Sequence, residues 1–136
     1  MIIGIGTDII DVRRISRVID KYGIKFKKRC FSKTEIDKSE SRYNKINSYA
    51  KRYAAKEACA KALGTGLAKG VFWKNISVQN NLFGKPSIKL NGKALKRLNK
   101  LSKKKCSIVV SLSDEKNYAI ANVIIFTLWI FLNLFM

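Results

Sequence analysis

Two acidic residues, Asp8 and Glu57, stand in sequence surroundings that suit a divalent cation bound to phosphate groups. Two carboxylates form an oxygen-only site of the kind that Mg²⁺ prefers, with phosphate oxygens and water completing its shell. Lys61 follows Glu57 by four residues, so on a helix their side chains are neighbours and can contact one ligand. Arg52 and Lys56 add positive charge to the same stretch. These residue types therefore predict a site for Mg²⁺ and a phosphate or diphosphate.

The stretch that carries Glu57 has the composition of a helix. Residues 49–66 are rich in alanine and other strong helix formers and contain no proline or glycine before Leu63. Gly64 and Gly66 are expected to end the helix, and the turn around Thr65 to expose backbone N–H groups to a phosphate. On composition alone, the stretch is also typical of a surface helix with ordinary charge pairs. One face of mostly small residues lets another backbone pack close: Ala50, Tyr53, Ala54, Ala58 and Ala62.

The acid Asp8 lies in an apolar stretch, residues 2–10, that we predict to be a β-strand. Because side chains alternate along a strand, Gly4, Gly6 and Asp8 face the same side. Two glycines beside an acid leave room for a bulky group to approach that acid. The strand and the helix are therefore expected to bring Asp8 and Glu57 into one site.

Three sequence motifs resemble those of the holo-[acyl-carrier-protein] synthases, the small 4′-phosphopantetheinyl transferases. They are G-I-G-x-D-I near the N-terminus, R-x-A-A-K-E-A-x-x-K-A-L-G-T-G with Tyr53 at the first x, and a later G-K-P. The similarity covers about residues 1–125, and the long central motif is far more specific than a lone glycine pattern.

The resemblance implies transfer of the 4′-phosphopantetheine of coenzyme A to a serine of an apo acyl carrier protein, in fatty acid biosynthesis. It implies that Asp8 and Glu57 hold Mg²⁺ and that Asp8, Glu57 and Lys61 act in catalysis. Glu57, directly or through a water on the metal, is the candidate base for the serine hydroxyl. The residues implied to contact coenzyme A are Arg52, Lys56, Lys61, Gly64, Thr65, Gly66, Lys85 and Pro86.

A basic surface is predicted on the first helix, over residues 12–21, which Asp11 can cap. Arg14, Arg17 and Lys21 fall on one face of this helix. A basic helix face of this kind is commonly exposed to water without binding any partner. In the resembling family, however, this helix meets the acidic carrier protein, so the resemblance implies that these three residues bind it. Electrostatic pairing of that kind mainly raises the association rate and selects the partner.

The chain contains no histidine. This excludes nucleophilic mechanisms of the Ser-His-Asp or Cys-His type and any histidine metal site. Many members of the resembling family carry a histidine after the strand that ends S-L-S or S-L-T, where this chain has Asp114. An aspartate is ionised near neutral pH and has no proton to donate. The departure therefore leaves the identity of the general base open.

The order of predicted elements is a strand, a run of helices and then further strands, which indicates the α+β class with an antiparallel sheet. The resemblance implies the 4′-phosphopantetheinyl transferase fold, with one long and several short helices. We expect a single domain over residues 1–125, followed by an apolar C-terminal tail, residues 126–136. The later strands are predicted at residues 76–79, 87–90, 107–113 and 118–125, with a short helix capped by Asn91 between the second and third.

The net charge of +19 indicates an acidic partner. It also raises an alternative from a different class, a small basic nucleic-acid-binding protein. That alternative accounts for the lysines of residues 93–105 but not for the glycine and acid pattern around Asp8 and Glu57. The aromatic residues mostly lie in apolar runs rather than among basic residues, which disfavours base stacking. We therefore expect no nucleic acid partner.

The three cysteines have no metal-like spacing and are expected to be reduced thiols of a cytoplasmic protein. Residues 2–10 include an acid and no basic region before it, unlike a signal peptide. Members of the resembling family form trimers with active sites at subunit boundaries, which implies a homotrimer here. The tail at residues 126–136 spans only about half of a bilayer's hydrocarbon as a helix. It is expected to pack across a subunit interface or, alternatively, to contact a membrane peripherally.

Overall fold

Residues 1–128 are described by a computed structural model that contains five α-helices and two antiparallel sheets. The strands are β1 (Ile2–Asp11), β2 (Ile76–Asn80), β3 (Pro86–Leu90), β4 (Cys106–Asp114) and β5 (Tyr118–Thr127). The helices are α1 (Val12–Tyr22), α2 (Ile24–Cys30), α3 (Lys33–Glu40), α4 (Lys45–Ala62) and α5 (Gly92–Leu101). The predicted α+β class with antiparallel strands is confirmed.

The main sheet has the strand order β1-β5-β4, and β2 pairs with β3 in a separate hairpin. Side chains alternate along β5 as expected for a strand with one covered face. Ala119, Ala121, Val123 and Ile125 are buried beneath the helices, whereas the residues between them face outward. Helix α4 lies across the buried face of this sheet, in contact with both β1 and β5.

The contact between β1 and α4 is unusually close because glycines line it. A Cβ atom added to Gly4 would lie 1.9 Å from the carbonyl oxygen of Ala62, and one added to Gly6 would lie 1.7 Å from that of Ala58. The bulky group that approaches Asp8 across the two glycines is therefore α4 itself. The small-residue face predicted for this helix makes the contact. Tyr53, which we placed on the same broad face, instead stacks on Trp73 with ring centroids 4.3 Å apart.

Gly6→Ala is expected to destabilise the fold by about 3 kcal/mol, because the added methyl group must displace the backbone of α4. Urea denaturation followed by circular dichroism measures this change. Thr7→Ala is the matched control, since Thr7 is the next residue and points to the other side of the sheet. An unfolding midpoint unchanged in Gly6→Ala would contradict the close packing of β1 on α4.

Most predicted boundaries agree with the structure to within two residues. Asp11 caps α1 as predicted, and its carboxylate accepts a hydrogen bond from the backbone N–H of Arg13 at 2.9 Å. Asn91 precedes α5 as predicted, but its side chain makes no capping hydrogen bond, because its side-chain carbonyl accepts from the side-chain amide of Asn75 at 3.3 Å instead.

Strand β5 continues to Thr127, two residues beyond its predicted end, because the N–H of Thr127 donates to the carbonyl of Met1 at 2.8 Å. The first two residues of the predicted tail are thus part of the sheet. Leu128, the third residue of the tail, follows the strand, and residues 129–136 lie outside the described part of the chain. Within residues 1–128, no helix combines the length and apolar character needed to cross a membrane.

Candidate active site

Asp8 lies on β1 with its side chain toward α4, and only 16% of that side chain is exposed. The ammonium group of Lys61 lies 3.1 Å from the Asp8 carboxylate and also donates to the carbonyl of Thr7 at 2.9 Å. The sequence predicted that Lys61 would share a ligand with Glu57, its neighbour on the helix. In the structure its ion pair is with Asp8, which ties the last turn of α4 to the middle of β1.

Glu57 lies one helical turn before Lys61 and is partly buried. Burial raises the pKa of the Glu57 carboxyl, and the negative charge of Asp8 raises it further. The positive charges of Lys61 and Arg14 act in the opposite direction. All three charged groups are therefore close enough to influence Glu57. The structure brings Asp8, Glu57 and Lys61 together as predicted, and it adds Arg14 at the edge of the same site.

The acidic pair has the properties of half a magnesium site. Its donors are carboxylate oxygens only, and the charge of Asp8 adds to the burial that raises the pKa of Glu57. A divalent cation would offset the repulsion between the two acids. Among residues 1–128, no group of three or more histidine, cysteine or acidic side chains could hold a metal ion. Mg²⁺ at Asp8 and Glu57 would therefore fill its shell with substrate oxygens and water, as it does at many phosphate sites.

Lys56 does not belong to this site. Its side chain is fully buried, and its ammonium donates to the Glu35 carboxylate at 2.9 Å and to the carbonyls of Trp73 and Ile76. These three acceptors match the three donors of an ammonium group. Burial lowers the pKa of Lys56, and Glu35 partly opposes this shift. The expected contact of Lys56 with coenzyme A is therefore contradicted by its burial and by its three acceptors.

The turn at Gly64, Thr65 and Gly66 follows α4 as predicted, and both glycines have positive φ angles, 79° and 58°. Its backbone N–H groups, however, donate to the last turn of the helix: Gly64 to Lys61, and both Thr65 and Gly66 to Ala60. Such bonds satisfy helix carbonyls that otherwise lack partners. The prediction of free amide donors for a diphosphate is wrong, because these amides cap α4.

A second polar site lies beside β4, at the opposite edge of the sheet from Asp8. It is a cavity of about 690 Å³ between the start of α4, the β2–β3 hairpin and the end of β4. Arg52 and Pro86, two of the expected coenzyme A contacts, line this cavity. Lys85, a third, is exposed on the adjoining hairpin loop and is not part of the lining.

Arg52 is held at this cavity with spare hydrogen-bonding capacity. Its guanidinium donates to the hydroxyl of Ser48 and to the side-chain carbonyl of Asn80, the latter at 2.9 Å. Its Nε atom is buried and has no partner among residues 1–128. Burial lowers the pKa of Arg52, and the charge of Glu35 opposes this shift. An anion in the cavity would stabilise the guanidinium charge.

Asp114, which stands where many relatives of the resembling family have histidine, also lines this cavity. Its carboxylate accepts a hydrogen bond from the side-chain amide of Asn47 at 2.8 Å and lies 3.3 Å from the ammonium of Lys51. We did not single out Asn47 and Lys51 from the sequence. Their spacing of four residues places them on one face of α4, but their shared partner is distant in sequence.

The basic face of α1 has the expected exposure. Arg14, Arg17 and Lys21 are all exposed, and none of the ion pairs within residues 1–128 involves them. Arg13, by contrast, is paired with Asp11 at 2.7 Å. The three unpaired cations lie on the helix that follows β1, next to the site of Asp8 and Glu57.

Comparisons with known proteins agree with this arrangement. Residues 4–123 match the family model of the 4′-phosphopantetheinyl transferase superfamily. A holo-[acyl-carrier-protein] synthase of Rhizobium rhizogenes is 50% identical over 127 residues, which cover 92% of this chain and 95% of that protein.

Solved structures extend the similarity to the fold. The holo-[acyl-carrier-protein] synthase of Neisseria meningitidis superposes with a TM-score of 0.82 at 36% identity, covering 93% of this chain and 100% of that one. The Helicobacter pylori enzyme of the same name, solved in complex with coenzyme A, superposes with a TM-score of 0.78 at 30% identity, covering 90% of this chain and 99% of that one.

Proposed function

The chain belongs to the 4′-phosphopantetheinyl transferase superfamily, and from this premise we propose how it acts as a holo-[acyl-carrier-protein] synthase. The enzyme transfers 4′-phosphopantetheine from coenzyme A to a serine of an apo acyl carrier protein and releases adenosine 3′,5′-bisphosphate. The nucleophile belongs to the carrier protein, so the enzyme needs none. Its proposed setting is fatty acid biosynthesis in the cytoplasm. The nucleic-acid-binding alternative finds no support among the relatives.

The observation that carries the mechanism is the cluster of Asp8, Glu57 and Lys61 where α4 crosses β1. Asp8 and Glu57 would hold Mg²⁺, which when bound neutralises charge on the diphosphate of coenzyme A. Lys61 lies where its ammonium can contact the same phosphate oxygens and stabilise the charge that develops on the leaving group.

Glu57 is the proposed general base. As the serine oxygen forms its bond to the β-phosphorus of coenzyme A, the bond from that phosphorus to the bridging oxygen breaks. The serine proton passes to the Glu57 carboxylate, directly or through a water. Burial raises the pKa of Glu57 in the absence of a cation, whereas bound Mg²⁺ would lower it. Asp114 lies in the cavity at the other sheet edge, so it takes no part in this proton transfer within one subunit.

The proposed function is tested by incubating the purified protein with Mg²⁺, coenzyme A and an apo acyl carrier protein. Intact-mass analysis should show a carrier protein heavier by one phosphopantetheine group. A parallel reaction with excess EDTA tests the requirement for a divalent cation and should show no gain. Unchanged carrier mass in the complete reaction, with a folded enzyme, would overturn the proposed function.

Two separated half-sites support a homotrimer with shared active sites. Lys61 lies nine residues after Arg52 on α4, about 14 Å along the helix axis. Strand β5 also separates β1, which carries Asp8, from β4, which borders the cavity. The cavity around Arg52 would take the 3′-phosphate of coenzyme A, and the acidic pair would take its diphosphate. Both groups are attached to one ribose, so one coenzyme A molecule cannot reach both places in one subunit. We infer that the cavity of one subunit complements the acidic pair of its neighbour.

The outer face of the main sheet offers a surface for this assembly. Ile5 pairs with Ile124, and Ile9 pairs with Ile120, with the hydrogen-bonded Thr7 and Asn122 between the two isoleucine pairs. Ile5 and Ile9 are each 61% exposed. Exposed apolar groups next to polar ones are typical of surfaces that bind another protein. The proposal is that three copies bury these faces against one another.

Ile124→Glu is expected to dissociate the trimer, because a charge at the centre of an apolar interface has no partner there. The dissociation constant should rise at least about a hundredfold, and transfer activity should fall with the trimer population. Light scattering coupled to gel filtration measures the mass. Ile24→Glu on α2, also an exposed isoleucine, is the matched control. A variant with Glu at position 124 that stays trimeric would refute this interface.

Arg14→Glu is expected to raise the KM for the carrier protein about tenfold, because it reverses a charge on the exposed basic face of α1. The KM for coenzyme A should stay nearly unchanged, and the salt dependence of the reaction should weaken. Steady-state kinetics at two salt concentrations measure both constants. Lys38→Glu, an exposed lysine on α3, serves as control. Loss of affinity for both substrates would mean that Arg14 contacts coenzyme A or supports the fold.

A further inference from the structure

Asp114 brings a negative charge into the cavity around Arg52, the proposed place of the 3′-phosphate of coenzyme A. It is the last residue of β4, and only 29% of its side chain is exposed. A carboxylate that faces a phosphate repels it, and the repulsion is stronger where water is partly excluded. The cavity can therefore hold a phosphate well only if another group compensates the charge of Asp114.

Both oxygens of the Asp114 carboxylate have partners on α4. Its Oδ1 atom lies 3.3 Å from the ammonium of Lys51, and its Oδ2 atom accepts a hydrogen bond from the side-chain amide of Asn47 at 2.8 Å. Asn47 and Lys51 are four residues apart, so they lie on one face of the helix and can share one partner. These contacts fix the Lys51 ammonium beside the end of β4.

Lys51 has hydrogen-bonding capacity left for a ligand. An ammonium group carries three N–H donors, and one carboxylate oxygen takes one of them. The Lys51 side chain is two-thirds buried and lines the same cavity as its neighbour Arg52. A phosphate in this cavity would thus meet two cations that are adjacent in sequence, and the remaining donors of Lys51 could bind it.

The charges around the cavity suit a single phosphate group. Among the described residues that line it, the charged ones are Arg42, Lys51, Arg52 and Asp114. Three cations and one acid leave a net positive charge of two. A phosphate monoester carries roughly two negative charges near neutral pH. Without Lys51, the lining would lose half of its net charge, and the carboxylate of Asp114 would have no cation beside it.

We propose that Lys51 is a specificity-determining residue that selects the 3′-phosphate of coenzyme A by pairing with that phosphate and with Asp114 at once. The inference rests on the proposed function, which supplies coenzyme A as the ligand. Lys51 acts in two ways in this arrangement. Its ammonium attracts the phosphate, and it neutralises the carboxylate that would otherwise repel the phosphate.

Equilibrium binding of two ligands to the full chain, in Mg²⁺, tests this role. Isothermal titration calorimetry compares coenzyme A with 3′-dephospho-coenzyme A, which lacks only the 3′-phosphate. Lys51→Met removes the ammonium and keeps the length of the side chain. It should weaken binding of coenzyme A about tenfold, as expected for loss of a hydrogen bond between charged groups, and binding of dephospho-coenzyme A less than about twofold.

Lys45→Met is the matched control. Lys45 lies on the same helix and also pairs with an acid, Glu40 at 3.5 Å, but it does not line the cavity. This variant loses the same charge and should bind both ligands as the parent does. An effect equal to that of Lys51→Met would mean that only the overall positive charge of the protein matters, which would overturn the proposal.

A double-mutant cycle tests whether Lys51 also neutralises Asp114. In a protein that already carries Asp114→Asn, Lys51→Met should weaken binding of coenzyme A only about threefold, because no carboxylate is left facing the phosphate. With dephospho-coenzyme A, the effect of Lys51→Met should be the same in both backgrounds. Equal losses of coenzyme A affinity in the two backgrounds would mean that Asp114 only joins α4 to β4.

Three further results would count against the proposal. If Lys51→Met weakens both ligands equally, Lys51 contacts the diphosphate or supports the cavity instead. If it weakens neither, Lys51 does not bind coenzyme A. A parent protein that binds the two ligands equally does not recognise the 3′-phosphate at all. Transfer to the carrier protein is measured separately by intact mass, so failure of the proposed reaction is distinguished from failure of this phosphate selection.

Discussion

Asp8→Asn and Glu57→Gln should each lower the rate of phosphopantetheine transfer roughly 10²–10⁴-fold, the range expected for loss of a catalytic acid or base. Each change removes one of two carboxylates that meet where α4 crosses β1, and each keeps the size and polarity of the side chain. The initial rate is measured by intact mass at saturating coenzyme A, carrier protein and Mg²⁺. Circular dichroism confirms that both variants fold.

The control for this prediction is Glu40→Gln, since Glu40 forms a half-buried ion pair with Lys27 away from the proposed site. It should leave the rate within about twofold of the parent, because Glu40 contacts none of Asp8, Glu57 and Lys61. Normal activity of Glu57→Gln at saturating Mg²⁺ would show that Glu57 is neither metal ligand nor base. Normal activity of Asp8→Asn would likewise show that Asp8 is not a metal ligand.

The pH dependence of stability gives a second readout for Glu57. Burial and the charge of Asp8 raise the pKa of Glu57 above its usual 4.5 in the folded state. A folded carboxyl with a raised pKa stabilises the fold below its ordinary pKa, and that stability is lost as pH rises through the raised value. In EDTA, and at pH values above the raised pKa, the free energy of unfolding of Glu57→Gln should therefore exceed that of the parent. Mg²⁺ bound at Glu57 would lower this pKa, so activity in Mg²⁺ should start to fall only at a lower pH than the change in stability seen in EDTA.

Lys56→Ala is expected to destabilise the fold by about 3–5 kcal/mol, which is the usual effect of leaving one member of a buried ion pair without its partner. Lys56 and Glu35 are both almost completely buried and lie 2.9 Å apart. Glu35 also accepts a hydrogen bond from the backbone N–H of Val78, so it joins α3, α4 and β2 at one point. Urea denaturation measures the change.

Two further variants sharpen this second prediction. Lys45→Ala removes an exposed lysine 3.5 Å from Glu40 and should change the free energy of unfolding by less than about 1 kcal/mol. The double variant Lys56→Met with Glu35→Gln should recover part of the lost stability, because it leaves no unpaired buried charge. A change below about 1 kcal/mol in Lys56→Ala would mean that the pair carries little of the fold's stability.

Local patterns in the sequence were sufficient for much of the fold. Alternation around Asp8 predicted β1, and Asp11 was identified as the cap of α1 from its position alone. The spacing of Ser32 and Glu35 is that of a capping box, and the box is present at the start of α3. Each of these signals lies within a few residues, where backbone geometry determines which groups can meet.

Errors arose where the partner of a residue is distant in sequence or where two uses of one group compete. Lys56 looked like a phosphate contact because lysines are rarely buried, and its partners Glu35, Trp73 and Ile76 lie on three other elements. The backbone amides of the turn at Gly64 can either bind an anion or cap α4. In the structure they donate to carbonyls in the last turn of α4. The cavity around Arg52 depends on β4, which no local pattern near residue 52 reveals.

The close contact between β1 and α4 has a consequence for how this protein tolerates sequence change over evolutionary time. Backbone meets backbone at Gly4 and Gly6, so no side chain sets the spacing between the strand and the helix. Mutations elsewhere on the two elements therefore cannot gradually alter the distance between Asp8 and Glu57. Surface substitutions, including the lysines behind the net charge of +19, do not reach the backbone contact that positions these two acids. The backbone contact at the two glycines therefore keeps the positions of Asp8 and Glu57 independent of substitutions elsewhere on the surface.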